Sequence, residues 1–174
     1  NTPPRCVWRV PLSDNGYACP SVAGGAVFIT DHEGSNDVVR ALELADGRER
    51  WRFAYPDPVA PRNGYARAAP TCEEGRVYAL SRLGHLHCLD ARTGERIWQT
   101  HCVRDFNGQH AEHFFCAPPA VAGERLFLCT GGAAGCVVAL NKRTGGLLWR
   151  GGPPDPAGQA LPVVVRLGNR EVLL

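Results

Sequence analysis

The residues best suited to chemistry gather in one stretch, HCVRDFNGQHAEHFFC, residues 101–116. It holds His101, Cys102, His110, His113 and Cys116. Imidazole nitrogen and thiolate sulfur are ligands that zinc prefers, and H-x-x-H-x-x-C brings three of them into a short span. His110, His113 and Cys116 are therefore the metal candidates, although the spacing alone assigns no metal. The same stretch also reads as a plain connector. A third reading is a metal-free binding loop carrying Arg104, Asp105, Phe106, His110 and His113, because long connections are where binding surfaces are built. His85 and His87 alternate along an extended run and so share one face. A surface or hydrogen-bonded strand position is expected for both.

Other chemistries lack their residues. There is no G-x-x-x-x-G-K-[ST] phosphate loop and no G-x-S-x-G nucleophile elbow. Gly131-Gly132-Ala133-Ala134-Gly135 is glycine-rich but sits between two strand-like runs, so it reads as a hairpin loop. The eight cysteines include no C-x-x-C, no C-x-x-C-H and no adjacent pair. An even number is compatible with disulfides in an exported protein. Four of them, Cys72, Cys88, Cys129 and Cys136, share repeat positions with residues such as Val22, Ala41, Leu80 and Val38. Buried free thiols are expected there. No catalytic residue is assigned.

Composition narrows the class further. The 174 residues carry 19 Lys+Arg against 17 Asp+Glu, a net charge of +2. That gives no footprint for nucleic acid or an anionic membrane. Hydrophobic residues, at 44%, suffice for a core. Gly 20 and Pro 14 suit a turn-rich β chain rather than a helical one. The longest aliphatic runs, such as Val163–Val165, fall far short of the roughly 20 residues of a membrane helix. The chain has no Met and shows no signal peptide, which suggests a processed chain or a piece of a longer one.

These residues are positioned by a repeat. ALELADGRERW (41–51), CLDARTGERIW (88–98) and ALNKRTGGLLW (139–149) align without gaps. The frame is Ala41/Cys88/Ala139, Leu42/Leu89/Leu140, Gly47/Gly94/Gly145 and Trp51/Trp98/Trp149. A second frame precedes each: PSVAGGAVF (20–28), PTCEEGRVY (70–78) and PAVAGERLF (119–127). Pro20, Pro70 and Pro119 are 50 and 49 residues apart. Each unit holds β-forming runs separated by glycine turns, with Pro where a missing donor is tolerated at a strand start. Four short antiparallel strands recurring at this period indicate an all-β partial propeller. Its expected blades are 17–54, 67–102 and 116–150. Trp8 reads as the end of a preceding unit, and 161–174 as a partial blade. A closed ring needs about 4–8 blades. A propeller fragment is therefore expected, the alternatives being a small ring closed from its two ends or assembly of several chains. Blade faces without neighbours would make the chain associate when alone.

The frame Ala/Cys-Leu-acidic-x-x-Thr-Gly-x-x-x-Trp resembles the tryptophan-docking motif of quinoprotein-type propellers, the pyrroloquinoline quinone (PQQ) repeat. The stretches SRLGHLHCLDARTGERIWQ and GGAAGCVVALNKRTGGLLW look like the exported propellers of planctomycete-type bacteria. The resemblance implies that Trp51, Trp98 and Trp149 dock on neighbouring blades and that Gly47, Gly94 and Gly145 admit them. Asp90 and Asn141 keep the polar third position, which Glu43 replaces, and Asp46 stands where Thr is usual. The function expected is a non-catalytic module for ligand or protein binding, exported, without a cofactor. Its partners would be the remaining blades and an unidentified protein or small molecule. The alternatives are a piece of a quinone-dependent alcohol or sugar dehydrogenase, with PQQ and calcium, and an outer-membrane assembly propeller that docks proteins. The face bearing connections 55–66, 103–115 and 151–160 is the expected ligand face.

Overall fold

The computed structural model describes residues 3–13, 16–58 and 67–174. Three four-stranded antiparallel sheets follow one another along the chain. Blade 1 comprises β1 (Ser21–Ala23), β2 (Ala26–Glu33), β3 (Asn36–Glu43) and β4 (Glu49–Pro56). Blade 2 comprises β5 (Thr71–Glu73), β6 (Arg76–Leu80), β7 (His85–Asp90) and β8 (Arg96–His101). A five-residue helix, α1 (Cys102–Phe106), comes next. Blade 3 comprises β9 (Ala120–Ala122), β10 (Arg125–Cys129), β11 (Val137–Asn141) and β12 (Leu147–Gly151). A hairpin of β13 (Val164–Leu167) and β14 (Arg170–Leu173) closes the described chain. Strand order within each blade is sequential.

The helix lies at the start of the 103–115 connection. His101 is its N-cap, and its Nδ1 accepts from the amides of Val103 and Arg104. Asn107 ends it with φ 48°, in the left-handed conformation that Asn tolerates. One turn is too short for a hydrophobic period to show in the sequence.

β1, β5 and β9 are the inner strands, since they meet one another across blades. The Ser21 hydroxyl donates to the Pro70 carbonyl, and Thr71 donates to the Pro119 carbonyl at 2.6 Å. Because the strands alternate in direction, the tips of β2–β3, β6–β7 and β10–β11 lie at the same end as the connections between blades. There Cys102 N donates to Gly84 O, Phe115 N to Arg82 O and Gln109 N to Thr130 O. The described part of the 55–66 connection ends at Pro58, and 59–66 lie outside the described residues.

A β-bulge recurs at one frame position in every blade, at Ala41/Leu42, Cys88/Leu89 and Ala139/Leu140. The extra residue on the partner strand directly precedes each Trp. A bulge re-aims the following side chain, and here the Trp turns across its blade. Trp51 packs on Phe28 with ring centroids 5.8 Å apart, Trp98 on Tyr78 at 6.0 Å and Trp149 on Phe127 at 5.9 Å. The opposite faces of the Trp51 and Trp98 rings meet the next blade. A Cβ at Gly94 would lie 2.7 Å from the Trp51 ring, and one at Gly145 would lie 2.7 Å from Trp98. Gly47 stands in the same relation to Trp8. The indole N–H completes each contact, donating to Leu44 O from Trp8 (2.9 Å), Ala91 O from Trp51 (3.0 Å) and Lys142 O from Trp98 (3.1 Å).

The glycine is required twice over. Its φ is near +76° in all three blades, and no side chain fits beneath the indole. The turn is shaped by the polar third position of the motif. Asp90 Oδ1 accepts from the amides of Arg92 and Thr93, and Asn141 Oδ1 from those of Arg143 and Thr144. Glu43 is one methylene too long for this turn and pairs with Arg50 instead, while Asp46 accepts from Arg48 N. Trp149 is 40% exposed.

A Trp buries roughly 150–250 Å², several kcal/mol as an upper bound at about 25 cal/mol per Å². Trp98→Ala should therefore lower the free energy of unfolding by about 3–5 kcal/mol. Trp149→Ala, with a ring already partly in water, should cost clearly less. Chemical denaturation of both variants provides the check, and an unshifted midpoint for Trp98→Ala would refute the docking role.

Candidate functional site

Four blade entries share a pattern that begins three residues before each opening Pro: Tyr17-Ala-x-Pro20, Arg67-Ala-x-Pro70, Cys116-Ala-x-Pro119 and Gln159-Ala-x-Pro162. The first residue of each lies just ahead of an inner strand or hairpin, at the end bearing the long connections. The structure brings all four together. With His113 they line a pocket of about 310 Å³ on the axis side of the blades. That is at the lower limit for small-ligand sites. Sequence reasoning found His113 and Cys116 but missed Tyr17, Arg67 and Gln159. Extending the proline frame three residues upstream would have found them.

The pocket is a mixed hydrogen-bonding surface. Tyr17 is exposed, while Arg67 and Cys116 are half-buried. Cys116 Sγ donates to His113 O at 2.7 Å. Burial raises the Cys116 thiol above its ordinary pKa, and the adjacent Arg67 guanidinium opposes this. Among the described residues, none that lines the pocket carries a carboxylate, and a guanidinium disfavours a cation. This donor set does not fit a calcium-held quinone, because calcium takes carboxylate and carbonyl oxygens.

The other predicted residues lie elsewhere. His110 Nδ1 meets Ala111 O at 2.9 Å, and its ring packs on Phe114 and Phe115. It does not line the pocket of His113 and Cys116. Among the described residues, no group of three or more His, Cys, Asp or Glu side chains is placed to hold a metal ion. Phe106 is buried in the core rather than offered by a binding loop. Arg104 pairs with Asp105 at 2.7 Å, which holds that carboxyl well below the usual range. Asp105 in turn accepts from Thr100 Oγ1 and His101 N, fixing the start of α1. Both charges are thus engaged in local structure.

All eight cysteines are free thiols. Cys88 is buried, as its frame position implies, but Cys72, Cys129 and Cys136 are only half-buried. Cys129 and Cys136 line a second cavity beside Trp149 and the last hairpin.

A buried titratable network joins blades 1 and 2 at the loop-bearing end, unseen in the sequence because its members come from five separate segments. His32 Nδ1 lies 2.9 Å from Asp37 Oδ1, and Tyr55 OH donates to Asp37 Oδ2 at 3.3 Å. Arg82 donates to Asp57 at 2.6 Å, both side chains wholly buried. Burial pushes Asp37 up to about 6, against the hydrogen bond from His32 and with the help of Asp57. His87 corrects the expectation of an exposed or satisfied position. It is 3% exposed, and neither ring nitrogen has a hydrogen-bond partner among the described residues. Its ring lies 4.5 Å from Tyr55 and 5.1 Å from Phe53, centroid to centroid. His85 lies parallel to it at 6.2 Å and meets His101 at 4.5 Å. Burial, with His85 and Arg96 adding to it, lowers His87 to about 4. His85 is lowered by burial and then His101, and His101 by burial and then Arg104.

Linkage sets the pH behaviour. A lowered histidine stabilises fully above its unfolded value of 6.5, and that contribution is lost as pH falls through about 4. A raised carboxyl stabilises fully below 3.8, and that contribution is lost as pH rises through about 6. The two oppose each other across the intervening window. His87→Phe removes only the first. Relative to the parent, it should gain about 2 kcal/mol of stability between pH 7 and pH 5. Urea unfolding of both proteins at the two pH values tests this, and a pH-independent difference would contradict the burial of a neutral His87.

Comparison with known proteins agrees with the architecture. A family model described as "Outer membrane protein assembly factor BamB" (PQQ_2) matches residues 4–69 and 35–173. The chain is 30% identical over 158 residues to the quinohemoprotein alcohol dehydrogenase ADH-IIG of Pseudomonas putida, covering 82% of this chain and 20% of that protein. It is 28% identical over 144 residues to the outer membrane protein assembly factor BamB of Salmonella typhimurium, covering 79% and 32%. The chain thus spans a third or less of the length of these relatives. The solved structure of the Pseudomonas putida dehydrogenase superposes with a TM-score of 0.61 at 27% identity, over 82% of this chain and 22% of that one. Trp docking, blade order and family match converge: the chain belongs to the PQQ-repeat β-propeller family described as outer membrane protein assembly factor BamB.

Proposed function

We propose that the chain is a non-catalytic propeller module of an exported protein, and that its loop-bearing end docks a partner protein at the axial pocket. The observation that carries this reading is the pocket's composition. One side chain from each blade entry converges there with His113, offering a phenol, a guanidinium, an amide, an imidazole and a thiol, and no carboxylate among the described residues. Such a set can make hydrogen bonds in many directions. Relatives named for outer membrane protein assembly support a docking role and an envelope location. Backbone hydrogen bonds weld the surrounding connections to the tip of β10–β11, with Gln109 N donating to Thr130 O, Ala157 N to Gln109 O and Gly132 N to Asp155 O. A platform fixed in this way presents its side chains without an ordering cost.

The second reading is a part of a quinone-dependent dehydrogenase, favoured by the 30% identity to the Pseudomonas putida enzyme. A titration separates the two. With PQQ added to the purified protein, with and without calcium, the docking reading expects no saturable heat at micromolar concentration. Saturable binding that weakens in Arg67→Ala would put the dehydrogenase reading first.

A further inference from the structure

Two aspartates face each other between blades 1 and 2, at the end that bears the long connections. Asp37 is 1% exposed and Asp57 0%, and their carboxyls lie within hydrogen-bonding reach of each other. Two carboxylates so placed repel unless a proton sits between them. A second contact of Asp37 makes the same demand. Its Oδ1 lies 2.9 Å from His32 Nδ1, while His32 Nε2 lies 2.9 Å from Gly34 O. A neutral imidazole has one N–H and serves only one of these two acceptors. Both contacts hold only while the ring is doubly protonated or Asp37 carries a proton. Four more titratable or charged groups face the pair among the described residues. Tyr55 of β4 donates to Asp37, and Arg82, from the tip of β6–β7, donates to Asp57. His85 of β7 is close enough to Asp57 to feel its charge, and His87 of β7 packs on the Tyr55 ring. Arg82 is the permanent cation of this set. It balances one carboxylate, not two.

Asp57 and Arg82 link the pair to the axial pocket. Asp57 directly follows β4, and its amide donates to Ser35 O at 2.9 Å. The Arg82 guanidinium binds Asp57 and also lies over the Phe114 ring, 5.1 Å from its centroid. The Arg82 carbonyl accepts from Phe115 N at 3.0 Å. Phe114 has φ 63°, a left-handed conformation that strains a bulky residue and persists only where its surroundings impose it. His113 and Cys116, which flank the two phenylalanines, line the pocket.

We propose that the Asp37–Asp57 pair is a proton-operated latch on the axial pocket. With its proton in place, Asp57 and Arg82 are fixed against β3, and Arg82 fixes Phe114 and Phe115 between the two pocket residues. Loss of the proton leaves two buried carboxylates beside one guanidinium. Asp37 is held within the β3 ladder, so the members that move are Asp57, past the end of β4, and Arg82, on a loop tip. Their hold on Phe114 and Phe115 moves with them. Asp37 is raised to about 6, so the latch is closed at low pH and opens as pH rises through that value. The latch rests on the docking reading only for what it regulates. Its test needs no partner, so the two readings fail separately.

Amide exchange in the full 174-residue chain, resolved by NMR and corrected for intrinsic rates, reads the latch at the Phe115 N–H. Its protection should fall about tenfold between pH 5 and pH 7. The Gln109 N–H, bonded to Thr130 O at the same end of the next joint, should keep its protection. Asp37→Asn keeps a donor toward Asp57 that does not titrate, and should leave Phe115 equally protected at both pH values. Should that variant fail to fold, carbon-13 titration of the parent's carboxyls decides: the Asp37 and Asp57 signals should shift together in one step near pH 6. Phe115 protection that is independent of pH, that falls equally at Gln109 or that falls as far in Asp37→Asn would overturn the latch, as would two carboxyls that titrate separately below pH 5.

Discussion

The contact between an indole ring and a bare glycine turn governs the rest of this structure. Each blade alone is a four-stranded sheet with two apolar faces, and such a sheet must bury them against something. The Trp of one blade is held between its own blade's aromatic residue and the left-handed glycine of the next. A single ring thus fills space, removes apolar surface from water and satisfies a backbone carbonyl. A bulge immediately before the Trp turns the ring out of the regular strand alternation. Glycine is the residue that combines the required φ with no Cβ beneath the indole.

With the lock supplying this repeated interaction, the positions around it are released to diverge. The joint between blades 2 and 3 buries Lys142 among Glu73, Glu74 and Glu124. Its counterpart between blades 1 and 2 has Ala23, Gly24, Gly75 and Ala91 around a cavity at one end, and a histidine–carboxylate–tyrosine network at the other. The blade entries likewise keep Ala and Pro but vary the residue ahead of them, so four different side chains meet at the axis. A common fold thereby carries local chemistries that the fold itself does not determine.

What was legible in the sequence follows this division. Trp51, Trp98 and their glycines recur at fixed spacing, so their pairing could be read from types and positions alone. The burial of His87 could not, because its neighbours Phe53 and Tyr55 come from another blade and strand alternation does not say what lies opposite. Cys72 and Cys129 occupy apolar frame positions yet are half-buried, because each lies beside a cavity. The H-x-x-H-x-x-C spacing suggested a cluster, but residues 110–116 do not form a regular element that would put all three side chains on one side. His110 instead packs against Phe114 and Phe115. The axial set was hidden for a simpler reason: the repeat frame was opened at proline, three residues too late.

The locks all point one way along the chain, each Trp covered by a turn that comes about forty residues later. During synthesis on the ribosome, a finished blade therefore keeps its indole uncovered until the next blade's turn has emerged. At about 5–20 residues per second this amounts to a few seconds per blade. Burial of each ring is thus delayed relative to translation, and the newest complete blade is the one with an exposed aromatic. Protection by chaperones would be needed at a single moving position rather than over the whole nascent chain.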